Sequence, residues 1–247
     1  MRRLALALRM LRRNAHAGEA RVLAAALFIA VASVTTVGFF ADRVKAALDR
    51  QANELLGGDL VVIADHPMPP AFVASAREGG LAHVETRTFP SMVSGPDGAS
   101  LAEIKAVGEG FPLRGRIRVA DGAPPADREI DGGPKPGTAW IAEALATRLG
   151  VKAGERLNVG RASLAIEQVI TREPDSVLDY FGLAPRVLMN LADLEATGLV
   201  QVGSRITWRL LVAGETDAVR RFDAAVRPVL ARGGRLAHVT RHMVGLF

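Results

Sequence analysis

The sequence contains no cysteine among its 247 residues, so disulfide bonds and thiol chemistry are excluded. It also lacks a G-x-x-x-x-G-K-[ST] loop, and Gly108-Glu109-Gly110 is not completed into a dinucleotide fingerprint, so we expect no ATP binding through a P-loop. The G-x-S-x-G and Ser-x-x-Lys motifs of hydrolases are missing too. We therefore predict no catalytic residues, no cofactor site and no enzymatic activity, because a hydrolase would need a nucleophile with its partner residues.

Two of the five histidines have a spacing that could bind metal. His238 and His242 are four residues apart, which places ligands on one face of a helix. They fall in a predicted strand and the tail that follows it, with no acidic residue close in sequence. We interpret them as surface histidines and predict no metal site.

A cluster of acidic residues lies around Pro174. Glu173, Asp175 and Asp179 could perform acid-base chemistry, but no histidine partner or nucleophile motif accompanies them, so we interpret them as a solvated loop. The neighbouring segment 180–183 (YFGL) is either buried, the usual state of such side chains, or an exposed apolar contact surface.

Charge is absent from the run at 22–41, VLAAALFIAVASVTTVGFFA. A helix rises about 1.5 Å per residue, so this run reaches roughly the 30 Å thickness of the hydrocarbon core of a bilayer. We predict a transmembrane helix at 22–41. A cleaved signal peptide is the alternative, because Ala30-Val31-Ala32 offers a small-x-small site, but the apolar run continues past it.

The net charge lies on one side of this run. Six basic residues and one acidic residue precede position 22, whereas 25 basic and 25 acidic residues follow position 41. This asymmetry indicates a cytoplasmic N-terminus and export of residues 42–247. The high isoelectric point is therefore a topology signal, and we predict no nucleic acid partner.

The segments on either side of the run have helical patterns as well. Residues 1–21 form a basic leader in which Leu4, Leu8 and Leu11 recur at helical spacing, typical of an amphipathic helix on the cytoplasmic membrane surface; a disordered leader is the alternative. No Gly or Pro interrupts residues 42–56, which we predict to continue the span as a helical stalk. Small residues such as Ala24, Ser33 and Gly38 suit packing against further transmembrane helices, although Ala and Gly are common throughout this chain.

Residues 57–247 alternate strand and helix patterns, which predicts an α+β domain with a sizeable core. The expected helices cover 71–78, 139–149, a short segment capped by Asn190 with Asp193 in the capping-box position, and a segment from Thr216. Residues 121–138 are an exposed loop. The expected strands cover 59–64, 83–89, 100–107, 116–119, 157–159, 162–170, 186–189, 205–212 and 236–240.

Four groups of motifs resemble one membrane protein family, and the resemblance covers nearly the whole chain. They are GFFADRV at 38–44; LLGGDL at 55–60; GTAWI at 137–141 with ALA at 144–146 and LGVKAGE at 149–155; and FGLAPR at 181–186 with LMNLADL at 188–194 and TG at 197–198. The chain resembles the N-terminal portion of an ABC transporter permease of the FtsX-like, MacB or lipoprotein-release type, with its first transmembrane helix and a MacB-like periplasmic core domain.

The resemblance implies a permease subunit in the bacterial inner (plasma) membrane. A separate ATP-binding subunit would hydrolyse ATP, and the permease would couple this to export or extraction of a lipophilic substrate such as a lipid, lipoprotein or hydrophobic compound. Its partners would be the ATP-binding subunit, the lipid bilayer, and further transmembrane helices of the same permease or of a second copy. We expect three or more further spans beyond Phe247. The alternative is a single-span membrane-anchored periplasmic binding or scaffold protein.

Overall fold

The structure is a computed structural model, and it describes residues 18–120, 126–174, 184–201, 203–232 and 237–240. The chain divides into two compact units, residues 1–49 and 50–247. Each unit is described in turn below.

The described part of the first unit, residues 18–49, belongs to helix α1. This helix runs over Gly18–Leu56 without interruption, so the predicted single helix over 22–56 is confirmed. All side chains from Arg21 to Leu48 are exposed, and among the described residues this stretch alone is long and apolar enough to cross a membrane. The hydroxyls of Thr35 and Thr36 donate to the carbonyls one turn earlier, at 2.7 Å each, so these polar groups are satisfied within the helix.

The second unit is built on one mixed sheet of eleven described strands. The order is β11-β1-β10-β2-β3-β9-β6-β8-β4-β5, with β7 pairing to β2 and β8, and the β3–β9 and β6–β8 pairs are parallel. The strands are β1 Leu60–Ala64, β2 Ala82–Gly95, β3 Gly98–Val107, β4 Ile117–Ala120, β5 Asp127–Ile130, β6 Thr138–Ala142, β7 Arg156–Val159, β8 Ala162–Arg172, β9 Arg186–Asn190, β10 Thr207–Ala213 and β11 Ala237–Thr240.

Helices cover one face of this sheet, which we call the helix face. They are α2 Pro70–Glu78, α3 Glu143–Leu149, a 3-10 turn Leu191–Asp193 that leads into α4 Leu194–Thr197, and α5 Thr216–Arg232. Two apolar clusters lie on the helix face, one under α3 and α4 and one under α2 and α5, and a third lies on the opposite face with Leu56 and Phe111. The expected α+β class is confirmed.

The structure corrects the expected secondary structure in two places. Residues 139–142 of the predicted 139–149 helix belong to strand β6, and the helix begins only at Glu143. Ala139, Trp140 and Ile141 are all buried because β6 lies between β8 and β9 and is covered on both faces, so no alternation is visible in its sequence. Strand β5 lies in the predicted loop 121–138, since its polar sequence DREI suits the outermost position of the sheet.

The other expected elements are present close to their predicted positions. The hairpin of β7 and β8 forms across Gly160 and Arg161, and β11 closes the end of the sheet beside β1. Asn190 caps the following turn as expected, accepting a hydrogen bond from the amide of Ala192 at 3.0 Å. Asp193 does not complete a capping box, because its carboxylate accepts from the amide of Gly137 at 2.7 Å.

Candidate functional site

The segment that follows α1 is held by many contacts within the second unit. Leu56, the last residue of α1, is buried in the apolar cluster that contains Phe111. Gly57 has φ +67°, a left-handed conformation that glycine adopts easily at a helix end, and its carbonyl accepts hydrogen bonds from the amides of Leu113 and Arg114, at 3.1 Å each. Gly58 packs so closely that a Cβ there would lie 3.3 Å from the carbonyl oxygen of Val212. The end of the helix is therefore fixed to two other parts of the domain.

Asp59 completes this attachment, which we call the helix junction (Leu56 to Asp59 with Arg114 and Gly214). Its backbone amide donates to the carbonyl of Val212 at 2.9 Å, and its carboxylate accepts from the amide of Gly214 at 2.9 Å. The Nε and Nη2 atoms of Arg114 lie 2.9 and 2.8 Å from its two carboxylate oxygens. The hydrogen bond to Asp59 raises the pKa of Arg114, with burial opposing the change.

A buried ionic cluster lies on the face of the sheet opposite the helix face. Lys105 in β3 pairs with Oε1 of Glu173, and its ammonium lies 4.5 Å from the centre of the Phe111 ring. Oε2 of Glu173 lies 3.1 Å from Nε of Arg186, and Nη1 of Arg186 lies 3.1 Å from Glu103. Two cations and two carboxylates thus form one chain of ion pairs that joins β3, β9 and the segment after β8.

This cluster corrects the expectation for Glu173. The sequence predicts a solvated loop for the acidic residues around Pro174, but the Glu173 side chain is 4 % exposed and its Lys105 partner is fully buried. A buried carboxylate and a buried ammonium each lose hydration, which costs free energy. Their mutual attraction offsets this cost. Glu173 and Arg186 flank residues 174–185, and their ion pair therefore ties together the two ends of that segment.

A stacked pair of side chains forms the floor of a cleft on the helix face. The guanidinium of Arg87 in β2 lies 4.1 Å above the ring of Trp208 in β10, its neighbour across the strands. The Trp208 ring packs against both apolar clusters of this face. Arg87 lines a pocket of about 420 Å³ beside α2 and another of about 1090 Å³ beside the 3-10 turn.

The described residues include no group of three or more His, Asp or Glu side chains arranged to hold a metal ion. His66 pairs with Asp65 at 2.8 Å, and His83 lies 3.3 Å from the carbonyl of Leu81, in separate places. The backbone of His238 lies in β11, whereas His242, Asp175, Asp179 and segment 180–183 lie outside the described residues. Their expected roles stay predictions.

Sequence reasoning missed the residues that the structure brings together. Lys105 carried a visible signal, since a lysine in the middle of the apolar strand sequence LAEIKAV requires a buried partner. Asp59 and Arg114 carried none, because they are 55 residues apart and meet only through the fold.

Comparisons with known proteins give one sequence relative and several structural neighbours. The chain is 34% identical over 205 residues to the uncharacterized ABC transporter permease YbbP of Escherichia coli (strain K12), a match that covers 83% of this chain and 24% of that protein. This chain thus spans about a quarter of the length of the curated relative it matches. No family model matches the chain.

Two of the similar solved structures are an extracellular domain and a periplasmic region. The extracellular domain of the noncanonic ABC-type transporter YknZ from Gram-positive bacteria covers 74% of this chain and 100% of its own, with 9% identity and a TM-score of 0.46. The periplasmic region of MacB from Actinobacillus actinomycetemcomitans covers 76% of this chain and 91% of its own, with 10% identity and a TM-score of 0.43. The match to YbbP confirms the resemblance found in the motifs: over 205 residues this chain is a sequence relative of an ABC transporter permease.

Proposed function

We propose that this chain is part of the permease subunit of an ABC transporter. In this proposal a separate ATP-binding subunit hydrolyses ATP, and the permease couples that energy to export or extraction of a lipophilic substrate in the cell envelope. The observation that carries the proposal is the 34% identity to an ABC transporter permease over 205 residues, most of this chain.

The proposed location is the bacterial inner membrane. Residues 22–41 would cross the bilayer, residues 1–21 would lie in the cytoplasm and residues 42–247 in the periplasm. The exposed apolar side chains of α1 and the positive charge before it support this orientation, because basic residues favour the cytoplasmic side. The partners would be the ATP-binding subunit and the transmembrane helices that pack on α1.

The helix junction gives this proposal a physical route. Residues 42–56 would act as a stalk, and a movement of the span would reach the domain through the end of α1. Leu56 to Asp59 are attached by a buried side chain, four hydrogen bonds from or to backbone atoms and one ion pair with two hydrogen bonds. In this proposal the junction would transmit displacement better than a flexible linker, because hydrogen bonds join Gly57 to Leu113 and Arg114.

The absence of native cysteine allows a direct test of the orientation. Asp131, whose side chain is 85% exposed, is replaced by Cys in one variant, and Arg13 in the leader is replaced by Cys in another. We expect a membrane-impermeant maleimide to label Asp131→Cys in intact spheroplasts and Arg13→Cys only after lysis. Label on Arg13→Cys in intact spheroplasts would contradict the proposed topology.

A second experiment tests the partner. The natural permease that contains this chain is purified with an affinity tag in mild detergent, and ATPase activity of the eluate is measured. We expect an ATP-binding subunit to copurify and the ATPase activity to follow it. A tagged protein that brings down an envelope protein but no ATPase would favour the single-span scaffold instead.

A further inference from the structure

The smaller pocket beside Arg87 combines an apolar wall with cationic groups. It lies between α2 and the stacked Arg87–Trp208 pair, and its volume of about 420 Å³ falls in the usual range for ligand pockets. The wall is formed by apolar side chains of the segment before α2, of α2 itself and of β10: Pro67, Met68, Pro70, Val73, Ala74 and Trp208. The charged residues that line it are Arg77, Glu85 and Arg87.

The charges of this pocket are unequal. Arg77 and Arg87 contribute two positive charges and Glu85 one negative charge. Glu85 lies 3.8 Å from Nη2 of Arg87, a distance at which it attracts the guanidinium without a good hydrogen bond. Within the described part of the chain Arg77 has no ion pair, so the pocket retains a net positive charge.

Arg87 itself is incompletely satisfied. Its Nε is buried and makes no hydrogen bond within the described residues, whereas buried guanidinium donors are normally paired. The contact with the Trp208 ring, 4.1 Å from the guanidinium carbon to the ring centre, restricts the position of the guanidinium. Burial lowers the pKa of Arg87, and the negative charge of Glu85 only partly opposes this change.

We propose that this pocket binds an anionic amphiphile, with its phosphate or carboxylate at Arg87 and Arg77 and its apolar chain along Trp208, Val73 and Met68. A planar guanidinium forms paired hydrogen bonds with either anion, and the apolar wall excludes water from that contact. This pocket deepens the proposed function, because its role as a substrate site rests on that function. Binding itself requires neither ATP nor a partner subunit.

The two tryptophans of the chain allow a direct measurement. Trp208 is partly exposed at the floor of the cleft, whereas Trp140 is 2% exposed and donates its indole N–H to Glu167 at 3.0 Å. Replacement Trp140→Phe leaves Trp208 as the single emitter, and the unchanged chain serves as a second sample in which Trp140 adds a constant background. The full chain is held in phosphatidylcholine nanodiscs, and empty nanodiscs correct for partitioning of the probe.

Three probes separate the possible sources of the anion. Octyl phosphate carries both the anion and the apolar chain, octyl glucoside carries only the chain, and inorganic phosphate carries only the anion. We expect octyl phosphate to change the Trp208 emission saturably, with the other two at least about tenfold weaker. If octyl glucoside bound as tightly as octyl phosphate, the pocket would not recognise the anion. If inorganic phosphate bound as tightly as octyl phosphate, the pocket would not recognise the apolar chain.

Substitutions test the residues. Arg87→Gln is expected to weaken octyl phosphate binding at least about tenfold, since it removes the charged fork while keeping a polar side chain. Arg220→Gln, on the exposed side of α5, is the matched control and should leave the affinity unchanged. If Arg87→Gln does not fold, as judged by near-ultraviolet circular dichroism, Arg77→Gln should weaken binding by a smaller factor. An unchanged affinity in either pocket variant would overturn the proposal, whether or not an ATP-binding subunit is found.

Discussion

Arg114 and Asp59 form an ion pair with two hydrogen bonds, of 2.9 and 2.8 Å, between segments that are 55 residues apart in sequence. The same carboxylate accepts a hydrogen bond from the amide of Gly214. Asp59 thereby joins the residues directly after α1 to the loop before β4 and to the turn after β10. The Arg114 side chain is 43% exposed, so water screens the ion pair and its net contribution to the free energy of unfolding is modest.

Replacement of Asp59 by Asn tests this attachment. The variant keeps an acceptor oxygen but loses the charge and one of the two bonds to Arg114, so we expect the free energy of unfolding to fall by about 1–2 kcal/mol. Urea unfolding of the full chain in detergent, followed by near-ultraviolet circular dichroism, measures the change. Asp131→Asn, whose carboxylate is 85% exposed, should change it by less than about 0.5 kcal/mol. Equal effects of the two variants would show that the Asp59 carboxylate of the helix junction does not stabilise the folded protein.

The elements that the sequence predicts well have patterns that depend on near neighbours. In β10, Trp208, Leu210 and Val212 alternate with residues of the opposite face, and the strand appears where the alternation places it. Helix α1 likewise follows from the uncharged run at 22–41 and from the lack of Gly and Pro in residues 42–56. The sequence wrongly predicts a helix at strand β6, because its residues Ala139 to Ile141 are buried on both faces and show no alternation.

The candidate sites depend on contacts that no local pattern encodes. Arg87 reaches Trp208 only because β2 and β10 pair in the register that sets these two residues side by side. Glu173 is buried because Lys105, 68 residues earlier, lies in the neighbouring part of the sheet. A sequence can show that Lys105 requires a partner, but the partner's identity is a property of the topology.

The ionic cluster predicts strong coupling between Lys105 and Glu173. Glu173→Gln should lower the free energy of unfolding by about 3 kcal/mol, because it leaves a buried ammonium and a buried guanidinium with less negative charge. Lys105→Met should also destabilise, and the double variant should lose at least about 1 kcal/mol less than the sum of the single losses. Urea unfolding of the unchanged chain, the two single variants and the double variant gives the four free energies of this double-mutant cycle.

Glu129→Gln is the matched control for that cycle. Glu129 is 47% exposed and pairs with Arg116 at 3.5 Å, so its loss should cost less than about 1 kcal/mol. Additive losses in the Lys105 and Glu173 cycle would mean that the two side chains do not interact in the folded protein.

Asp127 predicts a pH dependence of stability. Arg118 donates to it at 2.9 and 2.5 Å and the hydroxyl of Thr171 at 3.1 Å. The hydrogen bonds from Arg118 lower the pKa of Asp127 below its ordinary value, and burial opposes them. The unfolded chain therefore binds the proton first as the pH falls, so this stabilisation is complete near neutral pH and is lost as the pH falls through the lowered pKa.

Comparison of the unchanged chain with Asp127→Asn measures this effect. The two urea midpoints should differ at about pH 6, and the difference should shrink toward about pH 3. Thr171→Val, which removes one hydrogen bond and keeps the carboxylate, should show a smaller difference that changes in the same direction. A difference that stays constant over this range would exclude a lowered pKa at Asp127.

The turn between β7 and β8 predicts that replacement of Gly160 by another residue lowers the stability of the fold. Its φ is +57°, and a Cβ there would overlap the carbonyl oxygen of Thr197 and lie 2.8 Å from Cγ of Leu199, because Arg161 draws the turn close by donating its amide to that carbonyl at 2.9 Å. Gly160→Ala should lower the free energy of unfolding by about 2–4 kcal/mol, through backbone strain and overlap together. Gly137 is the matched control: its φ is +82° but a Cβ would meet no atom within 4 Å, so Gly137→Ala should cost about 1 kcal/mol. Equal losses in urea unfolding would show that the close approach of the β7–β8 turn to α4 does not exist in the folded protein.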